Sequence, residues 1–240
     1  VPLNTNLQQL CLVLDLDDTL FLERDYVKSG FQIVGEWVKE HCSISDFAPR
    51  AWQYFSDGSR GNIFNLVFRD CAREVDSQFI GAMISAYRTH SPAITLLPDA
   101  AEFLRFSSEH FRLALITDGF VEAQKCKLKA LQVEEYFAVS VLTGEHPGWS
   151  KPNAAAFLHV QECLGGPPER FLYIADNPLK DFYAPRQLGW TTIRIRREMG
   201  IYSGFEAEPN GEPDAELPNL GILQDVLSTA IAGAERTQQC

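Results

Sequence analysis

The chain has 240 residues, 45% of them hydrophobic and 22% charged, with a formal net charge of −11 at pH 7. That length buries a sizeable core and suits one large domain or a core with a small insert, and the acidic balance argues against a nucleic-acid surface, which needs a basic stripe. No apolar stretch approaches a membrane span, so neither nucleic acid nor membrane is an expected partner; an anionic substrate stays open, because a metal and one lysine can reverse the field inside a pocket.

Residues 1–10 lack the basic start and apolar core of a secretory signal. The chain starts at Val1 rather than Met, which points to trimming or a tag. Six cysteines, Cys11, Cys42, Cys71, Cys126, Cys163 and Cys240, include no CxxC pair. They read as reduced packing residues of a cytoplasmic protein, with no disulfide framework or zinc site. Residues 10–14 form the first apolar run, the right length for a buried strand. It ends abruptly in Asp15, Asp17 and Asp18. Unpaired buried carboxylates are costly. A divalent cation resolves the cost, and one carboxylate could attack phosphorus while its neighbour two residues on handles the proton. The plainer alternative is a strand followed by an acidic, solvated turn.

Residues 23–95 look purely helical. Val27, Phe31, Val34 and Val38 recur at i, i+4, i+7 and i+11; Phe64, Val67, Phe68 and Cys71 form a second stripe; Phe79, Ile80, Met83, Ile84 and Tyr87 form a third. Residues 57–61 punctuate them as a loop, and Ser91-Pro92 ends the last helix. Pro98-Asp99 then opens a new helix. Further strands are expected at 113–116, 138–142, 171–175 and 191–195, separated by helical patterns at 124–131, 154–164 and 179–188. Strands alternating with helices predict an α/β fold: a Rossmann-like parallel sheet with helices on both faces. Residues 1–22 and 96–240 would form that core and 23–95 an inserted helical cap. Residues 206–217, acidic and rich in Pro and Gly, read as a loop. Leu220, Leu223, Leu227 and Ile231 mark a last amphipathic helix, fraying from Thr237.

Four pieces stand in order along this frame: Asp15-x-Asp17-x-Thr19, Thr117-Asp118-Gly119, Lys151-Pro152 and Asp176-Asn177-Pro178-Leu179-Lys180-Asp181. Each alone has an ordinary reading. Thr117 could cap a turn, Lys151 could be solvated surface, and Asp176 and Asp181 could be a turn residue and a helix N-terminal charge. Three of the four fall just past the ends of expected strands. Ligands of open parallel sheets bind at those ends.

As a set, the four motifs resemble the haloacid dehalogenase superfamily of hydrolases, over essentially the whole chain. The insert after the first motif is similar to the α-helical cap of the subgroup with phosphoglycolate phosphatase, β-phosphoglucomutase and N-acylneuraminate-9-phosphatase. The resemblance implies a role for each motif residue. Asp15 would be the nucleophile that forms an aspartyl-phosphate. Asp17 would be the acid for the leaving alcohol and then the base for water. Thr117 and Lys151 would bind phosphoryl oxygens. Asp15, the backbone carbonyl of Asp17 and Asp176 would hold Mg²⁺, with Asp181 in support. Many relatives carry Gly at the position of Asp18 and Asn at that of Asp118. Since a carboxylate would repel phosphate, the backbone N–H of Asp118, with Gly119, is expected to face the ligand.

The reading that follows is a Mg²⁺-dependent phosphatase, monomeric or homodimeric, acting on a small phosphate monoester such as a sugar phosphate. A phosphomutase of the same family is the alternative. A dehalogenase needs no acid two residues after the nucleophile, and intact residues at every catalytic position argue against a silent scaffold. In the cap, Arg60 is a candidate second contact to substrate and Arg24 a weaker one near the hinge. Trp37 and Trp52 are expected to pack the cap.

Overall fold

The apolar runs become strands because both of their faces are covered. The computed structural model describes residues 9–238. Its strands are β1 (Cys11–Leu14), β2 (Arg112–Thr117), β3 (Val139–Leu142), β4 (Phe171–Ala175), β5 (Thr191–Ile195) and β6 (Ala215–Leu217). They form one parallel sheet in the order β3-β2-β1-β4-β5-β6. In chain order the helices are α1 (Glu23–Cys42), α2 (Phe47–Ser56), α3 (Ile63–Asp70), α4 (Ser77–Thr89), α5 (Pro98–His110), α6 (Val121–Leu131), α7 (Ala155–Leu164), α8 (Tyr183–Gln187) and α9 (Leu220–Gln238).

Side chains alternate across the sheet with the period of two that a pleated strand imposes. Leu12, Leu14, Leu172 and Ile174 point into one core with residues of α5, α6 and α9. Cys11, Val13, Phe171 and Tyr173 point into the other, with α7 and α8. Burial on both faces explains why β1 and β4 read as continuous apolar runs rather than alternating ones.

Helices α1 to α4 lie between β1 and β2 and build a third core of their own from Val27, Phe31, Val34, Val38, Phe47, Ala51, Phe55, Val67, Phe68 and Met83. All four positions of the expected α1 stripe are buried. Trp37 and Trp52 pack against this core, as expected. Gly30 has a steric reason: a Cβ there would come within 2.4 Å of the Tyr87 ring, so only glycine lets α4 lie this close to α1.

Several elements differ from the sequence reading. Helix α2 was not resolved as a separate stripe, although Phe47, Ala51 and Phe55 recur at i, i+4 and i+8 and are its buried residues. Within the expected 206–217 loop, residues 215–217 pair with β5 as an edge strand. Arg194 and Arg196 of the β5 side both reach Glu216, at 3.0 and 3.1 Å, so ion pairs and ladder bonds hold a segment that has no apolar signature. The helix expected over 179–188 shrinks to α8. Asp181 Oδ2 accepts from Asn177 N at 2.9 Å and Asn177 Oδ1 accepts from Leu179 N at 3.0 Å, and these side-chain turns compete with helix for the backbone. Helix α9 continues past Thr237 to Gln238. Cys11, Cys42, Cys71, Cys126 and Cys163 are free thiols, but Cys163 is exposed, its Sγ 3.6 Å from His159 Nε2, rather than a core packing residue; Cys240 lies outside the described residues.

Candidate active site

The order of the sheet reverses beside β1. From β1 the chain runs outward through β2 and β3, then returns to β4 on the other side of β1. Loops leaving at such a point diverge and open a crevice over the strand ends. Asp15 follows β1, Thr117 ends β2 and Asp176 follows β4, so three adjacent strands deliver them to one place. The ladder extends into the site, with Asp15 N donating to Ile174 O at 2.9 Å.

Asp15, Asp176 and Asp181 are all buried and can bring one carboxylate oxygen each within 4.8 Å of one another. Lys151 Nζ lies 2.8 Å from Asp15 Oδ1 and donates to Tyr173 OH at 3.0 Å. It is also 2.8 Å from Asp181 Oδ1, without the alignment of a hydrogen bond. One cation thus stands among three carboxylates. Burial pushes the Asp15 carboxyl up to about 6 against the pull of Lys151, with Asp181 adding to the rise. Asp176 is pushed well above the usual carboxylate range by burial and by the charges of Asp181 and Asp15. Burial would lower Lys151, but Asp15 and Asp181 win and hold its ammonium firmly protonated. The shortfall of positive charge and the all-oxygen donor set fit a hard divalent cation such as Mg²⁺.

Asp17 faces elsewhere. Its Oδ1 accepts from Lys127 Nζ at 2.7 Å and its Oδ2 from Gln124 Nε2 at 3.0 Å. Its carboxylate is therefore outside the acidic triad, which leaves only its backbone carbonyl for the metal contact implied by the resemblance. Gln124 Nε2 also donates to Thr117 Oγ1. The Asp118 carboxylate is turned into the protein: Oδ1 accepts from Thr143 Oγ1 at 2.7 Å and from Lys151 N at 3.2 Å, and Oδ2 from Lys180 Nζ at 2.8 Å. Burial would raise its pKa, but Lys151 and Lys180 hold it below the ordinary value. Gly119 has φ +142°, and a Cβ there would meet the Gln124 side chain at 3.1 Å. Asp18 takes φ +51°, a left-handed conformation open to glycine and tolerated by aspartate. Its carboxylate accepts from Glu23 N at 2.9 Å and Ile201 N at 2.6 Å, tying α1 to the loop after β5.

Two cavities meet at this point. The smaller, about 120 Å³, is walled by polar side chains that include Asp15, Asp17, Asp118, Asp176, Asn177 and Lys180. The larger, about 400 Å³, lies between the four cap helices and the core. They share Asp17, Glu23, Asp118 and Tyr202. Thr117 and Lys151 are buried and belong to the wall of neither. Arg60 lines the larger cavity. Its Nη1 donates to Phe55 O and Ser59 O, and its guanidinium lies 4.1 Å from the Phe55 ring centroid. Arg24 is a correction: it lines neither cavity, because its guanidinium is drawn to Met199 Sδ at 3.7 Å and over Trp52 at 5.5 Å.

Sequence reasoning missed Gln124, Lys127, Tyr173, Glu23 and Tyr202. Gln124 and Lys127 stand one turn apart on the buried face of α6, and two polar residues within that apolar stripe were the available signal. Glu23 adjoins both cavities, and burial followed by the charge of Asp17 pushes its carboxyl up to about 7. For Tyr202 no local pattern existed.

A haloacid dehalogenase-like hydrolase family model matches residues 10–189. A glyceraldehyde 3-phosphate phosphatase of Methanopyrus kandleri is 30% identical over 167 residues, 68% of this chain and 70% of that protein. The glyceraldehyde 3-phosphate phosphatase of Methanocaldococcus jannaschii is 27% identical over 227 residues, 90% of this chain and 96% of that one. Among solved structures, magnesium-bound YfnB of Bacillus subtilis superposes with a TM-score of 0.67 at 19% identity, covering 91% of this chain and 98% of its own. That likeness shows the fold. With the family match spanning most of the chain and the four motifs gathered at the switch point of its sheet, this protein belongs to the haloacid dehalogenase-like hydrolases.

Proposed function

We propose that the chain is a Mg²⁺-dependent phosphatase that hydrolyses a small phosphate monoester through an aspartyl-phosphate on Asp15. The observation that carries this reading is the separate setting of the two carboxylates: Asp15 sits against Lys151 in the acidic triad, while Asp17 stands outside it, on Lys127 and Gln124, where the two cavities join. The phosphatase names of the two relatives support hydrolysis of a phosphate monoester. We further assign residues 1–22 and 96–240 to the catalytic core and 23–95 to the cap, in keeping with the separate hydrophobic core of α1 to α4.

In the first step an Asp15 carboxylate oxygen attacks phosphorus and the bond to the ester oxygen breaks. Asp17 acts as the general acid and gives a proton to the leaving alcohol oxygen. In the second step Asp17, now ionised, takes a proton from water as that water attacks the aspartyl-phosphate. Inorganic phosphate leaves and Asp15 is restored. Splitting the displacement makes each barrier smaller. Lys151 and Thr117, which border neither cavity, would take phosphoryl oxygens by turning from their present partners Asp15 and Gln124, and Lys127 and Gln124 orient the Asp17 carboxylate. Asp15, the Asp17 carbonyl and Asp176 would hold Mg²⁺, with Asp181 supporting. When bound, that ion supplies positive charge that lets one anion approach another.

Asp17→Asn tests the assignment. Alkyl phosphates need a proton delivered in the transition state, so their turnover should fall most. An aryl phosphate with a good leaving group should give a burst of phenol, then slow turnover, as the aspartyl-phosphate persists without a base. Equal loss for both, with no burst and no trapped intermediate, would remove Asp17 from acid–base work. Stoichiometric release of free phosphate separates the phosphatase from a mutase.

A further inference from the structure

The larger cavity has a chemistry unlike that of a site for a small polyol. Its cap wall carries the rings of Phe31, Phe55, Phe64 and Tyr87, with Ile80 and Ile84 beside them. The rings already contact one another: Phe31 lies 6.3 Å from Phe55 and 6.2 Å from Phe64, and Phe64 6.0 Å from Tyr87, all three pairs edge to face. Across from them the core contributes Phe120, next to the Asp118-Gly119 turn. Phe120 is 56% exposed, and Arg88 of α4 covers its ring at 3.1 Å. Charged groups gather at the floor, where Asp17, Glu23 and Asp118 are shared with the smaller cavity and Lys127 lines the larger one beside Asp17. A second polar edge is formed by Arg60, Asn62 and Asn65.

We propose that this cavity receives a flat apolar leaving group, an aryl or heteroaryl ring joined to the phosphate ester oxygen by a short alkyl linker. The inference rests on the phosphatase reading and names its substrate class. The small polar cavity is sized for the phosphoryl group, and Asp17, at the junction, reaches the ester oxygen. What lies beyond the ester oxygen must then meet the rings. A cavity of about 400 Å³ is several times larger than a three-carbon skeleton, which would leave most of it wet. The hydroxyls of a longer polyol would face aromatic carbon and lose hydrogen bonds to water, at about 1–3 kcal/mol for each one left unpaired. A ring instead exchanges water for ring contacts, edge to face or offset-stacked, which aromatic pairs favour. Asn62, Asn65 and Arg60 then meet polar atoms on the far edge of the ring.

The test compares phosphate monoesters of alcohols that are all poor leaving groups, so that differences report on the organic portion. With the full chain and Mg²⁺, kcat/KM should be at least about tenfold higher for 2-phenylethyl phosphate and benzyl phosphate than for glycerol 3-phosphate or glucose 6-phosphate. Ile84→Asp, which sets a charge in the ring wall, should bring the ratio of phenylethyl to glycerol ester close to one. A wild-type preference for the polyol esters, or an aryl preference that survives Ile84→Asp, would overturn the inference and leave the phosphatase standing. If every ester is inert, the phosphatase reading falls; calorimetric binding of the same esters to Asp15→Asn still decides the cavity. Tighter binding of the aryl esters supports the inference, and equal or weaker binding defeats it.

Discussion

Asp15 and Asp17 are separated by one residue, yet each has its own lysine: Lys151 at 2.8 Å and Lys127 at 2.7 Å. The division follows from the end of β1, where the chain leaves the pleat and successive carboxylates no longer share a face. Asp15→Asn should abolish phosphate release, by at least about 10³-fold, because the amide is a poor nucleophile of nearly equal size. Its melting temperature should be close to wild type, since the triad loses one of three repelling carboxylates and Lys151 keeps Asp181. Turnover by a verified, undeamidated variant would take the nucleophile's role from Asp15. Lys127→Met keeps the stem against Tyr26, whose ring lies 4.4 Å from Nζ, but removes the charge. Breaking a fully buried pair costs about 3–5 kcal/mol. The Asp17 side chain is 17% exposed, so about 2–3 kcal/mol is expected here, read from urea denaturation. A loss under about 0.5 kcal/mol would mean that the pair contributes as little as a surface one.

At the scale of elements, the join between α1 and the end of α4 is polar and buried. His90 Nδ1 lies 2.6 Å from Tyr87 O and Nε2 lies 3.1 Å from Ser29 Oγ, which itself accepts from Ala93 N at 2.9 Å. A carbonyl cannot donate, so Nδ1 carries the proton and Nε2 accepts from the serine hydroxyl. The imidazole is needed neutral, and burial lowers its pKa from the usual 6.5. A depressed folded-state pKa means that the unfolded chain takes up the proton first. The stabilisation is therefore present above about pH 6.5 and lost as pH falls below it. Thermal melts from pH 7.5 to 5.5 should show this decline. His90→Gln, less stable at pH 7.5, should show a smaller one. An equal decline in both proteins would locate the titration elsewhere.

For the whole molecule, the crowded carboxylates link metal, protons and folding. Asp15 and Asp176 are raised above their ordinary values, so without metal the folded state favours their protonated forms. That contribution is full below about pH 4 and is lost as pH rises through the folded value of Asp15, about 6. A cation that binds the ionised triad reverses the trend. At 100 times its dissociation constant, Mg²⁺ should add about 2.7 kcal/mol, or about 5–10 °C in Tm for a chain of this size. The gain should be larger at pH 7.5 than at pH 5, where protons compete. EDTA should remove both the gain and the activity. Asp176→Ala should blunt the Tm shift, and an undiminished shift in that variant would move the metal away from the triad.

Much of this was legible in the linear chain, and the reason is range. A strand buried on both faces is mostly apolar, so residues 171–175 announced β4 with its observed bounds; 191–195 matches β5 as well, although that strand carries Thr191, Thr192 and a buried Arg194. A stripe at helical spacing must be buried, which marked Val27, Phe31, Val34 and Val38 on α1. Carboxylates placed at the ends of such strands converge wherever the strands are neighbours, and that brought Asp15 and Asp176 together. What the chain could not announce depends on partners far away in sequence. Lys127 is 110 residues from Asp17, and Tyr173 is 22 residues from the Lys151 it accepts from. β6 exists because β5 offers it an edge, and α8 is cut short by the side chains of Asn177 and Asp181. The ring-lined cavity is assembled from α1 to α4, the turn before α6, α6 itself and the loop after β5. Local periodicity dictates which face of each element is apolar; only packing decides which of those faces are covered and which are left open to a ligand.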